Sequence, residues 1–220
     1  MIRILRWSLF STFIIFLLVT IYGKISFSNL DYNNYLNSAR YSLEEEYINY
    51  FPEMKDFLLD DESITSFEDL INKSESVLLI DVVDKPLING KALINKCKVN
   101  QVIKGENFQI GSNILVYDLL FNIDKNNLAY FGGMTPLKVG NKYIIFIRKT
   151  ENASVKNSYV FTSVKYGHFN LTDKSGILEN YENYSLHIND IVNYDYIFKE
   201  EKNGINESIK KEILSYLEQN

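Results

Sequence analysis

The chain has 220 residues, of which 46% are hydrophobic and 23% charged; this composition is typical of a folded protein and excludes a chain that is disordered throughout. The formal net charge of -5 argues against a nucleic-acid partner, because such proteins present a basic face to phosphates. One cysteine and two histidines exclude an intrachain disulfide and a cysteine-built zinc site, so we expect no metal and no cofactor.

An apolar run near the amino terminus, residues 7–23, predicts a membrane-spanning helix. Extended to residues 4–25, the run has the roughly 17–25 residues that a spanning helix needs. Trp7 and Tyr22 lie at its two ends, where aromatic belts occur. The residues assigned to the span are Trp7, Phe10, Phe13, Ile14, Ile15, Phe16, Leu17, Leu18, Val19, Ile21 and Tyr22. Membrane lipid is therefore the first predicted partner.

The charges that flank this run predict its orientation. Arg3 and Arg6 precede the run, and Lys24 follows it before acidic residues begin. The positive-inside rule then places the amino terminus in the cytoplasm and the rest outside, as a single-pass protein of the cell membrane. A cleaved signal peptide ending at residues 26–28 is the alternative, and it would give a secreted protein. We favour the uncleaved anchor, because no A-x-A site follows the run.

Composition divides the chain into four segments: a membrane anchor (1–28), a helical connector (29–65), a β-barrel domain (66–182) and a helical tail (183–220). In the connector, apolar residues recur at three- and four-residue steps, which predicts a helix that ends before Pro52. They are Tyr32, Leu36, Ala39, Leu43, Tyr47 and Tyr50. The acidic residues 44–46 form a solvated face rather than a metal site, because consecutive helix positions point about 100° apart.

The central segment predicts a short helix and then a series of strands. Ser66 begins the helix in a Ser-x-x-acid pattern. The predicted strands are residues 77–83, 92–104, 114–120, 142–148 and 159–164, followed by a terminal hairpin of 167–171 with 177–178. Lys85-Pro86 is expected to end the first strand, and Asn89-Gly90 to form a turn before the second. A bulge is predicted at Val102-Ile103 in the second strand. The fold class is therefore mainly β, a small antiparallel OB-like barrel with flanking helices.

The tail predicts two further helices. The first contains Leu186, Ile188, Ile191 and Val192. In the second, Asn206 is the N-cap, and Ile209, Ile213, Tyr216 and Leu217 share one face. A helix over the barrel mouth or over an open sheet edge would protect unpaired strand groups.

The order of these pieces resembles bacterial extracytoplasmic domains with an OB-like barrel, which are distantly similar to netrin-like and metalloproteinase-inhibitor barrels. The resemblance covers about residues 66–178. The residues that carry the resemblance are, in chain order, Ser74 before strand 77–83, Val99-x-x-Val102-Ile103-Lys104-Gly105, Gly111-x-x-Ile114-x-Val116, Gly132-Gly133, Leu137-x-x-Gly140-x-x-Tyr143-Ile144-Ile145-Phe146 and Gly167-x-Phe169. It implies a fold and a compartment. Inhibitors of that type meet a catalytic zinc with an amino-terminal cysteine, whereas the cysteine of this chain, Cys97, lies in mid-strand.

The residues that could carry out chemistry are better explained by structural roles than by catalytic ones. The Gly132-Gly133 loop leads into a strand, whereas phosphate loops lead into a helix. His168 is expected to be a partly exposed strand residue close to Asp173, and Cys97 a small core residue. No catalytic motif occurs, so we expect no enzyme.

The predicted function is that of a membrane-anchored extracytoplasmic module that binds or interacts with a protein partner. The candidate contact surface consists of Tyr130, Phe131, Gly132, Gly133 and Pro136. Two alternatives stay open. One is inhibition of, or immunity against, an extracytoplasmic peptidase or toxin, by analogy of fold. The other is an enzyme that uses His168 with Asp173 or Asp118.

Overall fold

The computed structural model describes residues 14–15, 20, 40–43, 63–89, 92–124, 127–130, 134–150, 155, 157–172, 177–178, 185–187, 194, 196–197 and 204–220. The chain divides into two compact units, residues 1–35 and 36–220. In the part of the chain that is described, no helix has both the length and the apolar character that a membrane crossing requires. Of the residues assigned to the span, Ile14 and Ile15 are helical, and the others lie outside the described residues.

Among its described residues, the second unit is mainly β and contains two helices. The helices are α1 (Phe67–Lys73) and α2 (Ile205–Gln219). The strands are β1 (Arg40–Leu43), β2 (Ser76–Asn89), β3 (Ala92–Lys104), β4 (Asn113–Asp124), β5 (Asn127–Tyr130), β6 (Lys142–Lys149), β7 (Ser158–Phe161), β8 (His168–Asn170), β9 (Ile177–Leu178), β10 (Ser185–His187) and β11 (Tyr196–Ile197).

Five strands close into a barrel in the order β2-β3-β4-β7-β6 and back to β2. The β4–β7 pair is parallel and the other four pairs are antiparallel. The predicted barrel is therefore confirmed, and its closure is compatible with an OB-like barrel. The prediction that its strands are antiparallel is wrong for one pair, because β4 and β7 are parallel. Beyond the barrel, β5, β1 and β10 extend the sheet from the edge of β4.

Apolar side chains fill the barrel interior. Alternate residues of each strand share one face, and registered partners on neighbouring strands share it too. The interior residues, all at most 6% exposed, are Leu78, Ile80, Val82, Cys97, Val99, Ile114, Val116, Ile145, Ile147 and Phe161. A closed barrel of this size is thus a packed core.

Strand β6 is buried on both faces because helix α1 covers its outer side. The Phe67 ring of α1 lies edge-on to Phe146, with 6.0 Å between ring centroids, and it also contacts Tyr216 of α2. Glu212 of α2 accepts a hydrogen bond from the Phe67 backbone N–H at 2.9 Å. The two helices therefore pack against each other, and α1 lies on the outer face of β6.

Several local predictions are confirmed. Ser66 is the N-cap of α1, and its Oγ accepts a hydrogen bond from the Asp69 N–H at 3.1 Å. The predicted bulge lies at Val102-Ile103, because Val77 is registered with Lys104 and Leu78 with Val102. Ile103 is the extra residue of the bulge. The bulge explains why two apolar residues are adjacent in a strand whose side chains otherwise alternate between the two faces.

Other local predictions are wrong. Strand β2 continues through Lys85-Pro86 to Asn89, since β3 pairs with it up to Ala92. Part of the predicted connector helix is strand β1, and Leu186 of the first predicted tail helix lies in strand β10. These two strands pair with each other, and β1 also pairs with β5. Pairing between distant segments has overridden the local helical periodicity.

The predicted terminal hairpin is also wrong. Strand β8 pairs with β6, whereas β9 pairs in parallel with β11. The β6 edge beyond its contact with β7 needs a partner, and β8 supplies it. Helix α2 starts after Gly204, which is its N-cap in a left-handed conformation, and the predicted cap Asn206 is a buried residue inside the helix.

Candidate functional site

Polar side chains gather at one end of the barrel interior. Asn95 and Asp118 lie on the inward face of β3 and β4, at positions where the alternation otherwise places apolar residues. Tyr143 and His168 lie at the same end on β6 and β8, and their rings meet edge-on at 5.3 Å between centroids. All four residues are at most 5% exposed. A polar group at such depth is stable only when it is hydrogen-bonded.

Residues 134–138, which we call the strap, cross this end of the barrel. The backbone N–H of Leu137 donates to Asp118 Oδ2 at 3.3 Å, and that of Lys138 donates to the Tyr143 hydroxyl at 2.9 Å. Thr135 O lies 2.8 Å from His168 Nε2. Because a carbonyl oxygen accepts hydrogen bonds, His168 Nε2 carries the hydrogen. Side chains from three strands thus hold main-chain groups of one short segment.

The Asp118 carboxylate is the charged centre of the cluster. Its Oδ2 atom also accepts a hydrogen bond from Asn95 Nδ2 at 3.0 Å. Burial raises the pKa of the Cys97 thiol well above its ordinary value, and the nearby Asp118 charge raises it further. The thiol is therefore protonated at neutral pH, and Cys97 is a fully buried core residue rather than a nucleophile.

A turn between β7 and β8 places His168 in this cluster. Ser163 Oγ accepts hydrogen bonds from the N–H groups of Lys165 and Tyr166, which fixes the turn. Gly167 closes it, and its N–H donates to the sulfur of Met134 at 3.0 Å. A Cβ atom on Gly167 would lie 2.6 Å from the Cβ of Phe161, so a glycine is required by close approach.

The predicted site residues are partly brought together. His168 is 0% exposed, which corrects the expectation of a partly exposed residue. Asp173 lies outside the described residues. Asp118 and His168 both form hydrogen bonds with the strap. Sequence reasoning missed Asn95, Thr135 and the Tyr143 hydroxyl. One signal in the sequence could have identified Asn95. It is a polar residue at a strand position where the alternation of apolar and polar residues calls for an apolar one.

The predicted contact surface is only partly described. Tyr130 is the last residue of β5 and is registered with Leu43 of β1 and Leu120 of β4. Phe131, Gly132 and Gly133 lie outside the described residues, so that part of the surface stays a prediction. Pro136 is buried within the strap and does not present its ring on an exposed face.

Within the described ranges, no three His, Cys, Asp or Glu side chains are grouped in a way that would hold a metal ion. In comparisons of sequence, no known family model and no curated protein matches the chain.

Proposed function

We propose that the chain is a membrane-anchored extracytoplasmic module with an OB-like barrel, and that it acts by binding a protein partner. The observation that carries this proposal is the filled barrel. Its inward side chains are buried against one another, and its polar end binds the strap. A barrel filled in this way supports recognition through its outer surface and loops rather than through an internal ligand.

The segment that leaves β5 at Tyr130 is the candidate contact surface. Tyr130 and Phe131 are adjacent aromatic residues, and aromatic side chains dominate the binding energy of many interfaces. The segment runs from the last pair of the β4–β5 ladder, Leu120 with Tyr130, into the strap.

The enzyme alternative receives less support from the same geometry. A general base has to reach the proton that it abstracts, either directly or through one water molecule. His168 is fully buried and its Nε2–H binds Thr135 O. This arrangement favours a structural role for the imidazole. The inhibitor or immunity alternative rests on the resemblance of fold, and a panel of extracytoplasmic peptidases assayed with the full chain would decide it.

The anchor is tested by mass spectrometry of the mature protein. We expect a chain that retains residues 1–28, because no A-x-A cleavage site follows the apolar run. A mature protein that starts at Asn29 would refute the anchor and support secretion.

The contact surface is tested by affinity capture of the full chain from detergent-solubilised membranes. Replacing Tyr130 and Phe131 with Ala should reduce recovery of the specific partner about tenfold or more, the effect of losing roughly 1.4 kcal/mol or more of binding energy. The matched control is Ile110→Ala, which truncates an apolar side chain that is 66% exposed on the β3–β4 loop. Equal recovery with all three proteins would refute this surface.

A further inference from the structure

Two titratable side chains from different strands bind the same strap. Asp118 of β4 accepts the Leu137 N–H, and the Nε2–H of His168 of β8 donates to Thr135 O. We propose that these two contacts form a pH-sensitive latch that holds the strap closed near neutral pH and releases it on acidification.

The strap depends on side chains because a strand ladder does not hold it. Met134 forms a single bridge, and residues 135–138 belong to no strand. Burial of Met134 and Leu137 and the Gly167 N–H that donates to the Met134 sulfur also hold the strap. Its polar contacts are those with Asp118, Tyr143 and His168, together with the hydrogen bond that the Thr135 hydroxyl donates to Tyr194 O. Among these polar contacts, Asp118 and His168 carry the side chains whose ordinary pKa lies in the acidic range, whereas tyrosine side chains titrate near pH 10.

Protonation of His168 would place a positive charge inside the barrel. The ring is fully buried, and its neighbours are the rings of Tyr143 and Phe161, each 5.3 Å away between centroids. Neither ring replaces the hydration that a charged imidazolium would gain in water. A buried neutral histidine that has to become charged destabilises the closed arrangement as the pH falls.

Protonation of Asp118 would weaken its hydrogen bond to the strap. Both donors to its Oδ2 atom, the Leu137 N–H and the Asn95 amide, bind an ionised carboxylate more strongly than a neutral acid. Of the other titratable groups nearby, the Cys97 thiol stays neutral because its pKa is raised. The strap itself carries one charged side chain, that of Lys138. The buried His168 imidazole therefore supplies the main pH dependence of the latch, and loss of the Asp118 charge loosens the Leu137 contact.

Opening of the latch would also move one residue of the candidate contact surface. Pro136 lies within the strap and is buried while the strap is closed. Release of the strap would therefore change the position of Pro136. This regulatory part of the inference rests on the proposed function, whereas the latch itself does not.

The latch is tested by hydrogen exchange on the full chain in detergent at about pH 7.5 and pH 5.0, corrected for intrinsic exchange rates. We expect the protection of the Leu137 and Lys138 amides to fall about tenfold or more at the lower pH. The Val99 amide of β3, which donates to Ser112 O at 2.9 Å, takes no part in the latch; it is the internal reference and should keep its protection. Strap amides with the same protection at both pH values would overturn the latch.

Two variants separate titration from packing. His168→Gln with Asp118→Asn retains a side-chain donor and an acceptor but removes both titrations, so its strap protection should no longer depend on pH. Tyr143→Phe removes the acceptor for the Lys138 N–H and should lower strap protection equally at both pH values. A double variant that keeps the wild-type pH response would overturn the assignment. The exchange measurement needs no partner, so failure of the latch and failure of partner capture are distinguishable.

Discussion

Asn95 and Asp118 show how single residues mark the polar end of the barrel interior. Both interrupt an alternation whose other inward members are apolar, such as Cys97 and Val116. That interruption can be read in the sequence. Their shared hydrogen bond and the Leu137 N–H that Asp118 accepts cannot, because these contacts depend on how distant segments meet.

Gly167 is a residue at which close approach by neighbouring atoms leaves no room for a side chain. In Gly167→Ala the new Cβ would lie 2.6 Å from the Phe161 Cβ and 2.7 Å from the Ser163 carbonyl oxygen. We expect a loss of about 1–3 kcal/mol in the free energy of unfolding, as in other overpacked sites. Chemical denaturation measures it.

The matched control for that variant is Gly204→Asn. Gly204 has a φ of 60° and open space where a Cβ would stand. Asparagine adopts a left-handed conformation more readily than most residues and meets no steric clash here, so this variant should lose less stability than Gly167→Ala. Equal losses in the two variants would contradict the steric account of Gly167.

At the scale of elements, local patterns predicted the barrel strands better than the accessory strands. The bulge at Val102-Ile103 and the cap at Ser66 depend on neighbouring residues, and both were predictable. Strands β1 and β8 depend on edges offered by β5 and β6, far along the chain. Pairing of that kind leaves a weak local signal, which explains why a helix and a hairpin were predicted instead.

Helix α2 should contribute to the stability of the barrel rather than behave as a free tail. Ile213 is fully buried, so Ile213→Ala should lower the free energy of unfolding by about 2–5 kcal/mol. Its neighbour Leu214 is 43% exposed, and Leu214→Ala should have an effect of about 0.5 kcal/mol or less. Thermal or chemical unfolding of the two variants checks this, and similar effects would mean that α2 does not pack as described.

The pairing of strand β1 indicates that the folded unit begins before this strand. It pairs with β5 on one side and β10 on the other, so a fragment that starts at Ser66 loses this strand and leaves two unpaired edges. A fragment that starts at Leu36, where the compact unit begins, should remain monomeric and unfold at a higher temperature. Size-exclusion chromatography and thermal unfolding compare them. A fragment from Ser66 that is equally stable and monomeric would contradict a structural role for β1.

At the scale of the whole molecule, the type of architecture was predictable, but the pair of strands that closes the barrel was not. Short alternating strands separated by turns indicate a barrel or a sandwich. The parallel β4–β7 pair that closes this barrel joins segments about forty residues apart, and no local pattern specifies it. The contact surface shows the same limit, because adjacent aromatic residues at Tyr130 and Phe131 indicate an interface without naming its partner.

The central claim is that the molecule acts through a surface around Tyr130 and Phe131. Site-specific photo-crosslinking in intact cells tests it most directly, with a photoreactive residue at position 131 and, as the control, at the exposed position 110. We expect one dominant cross-linked protein from position 131 that is absent from position 110. No product from position 131, or the same product from both positions, would contradict the claim.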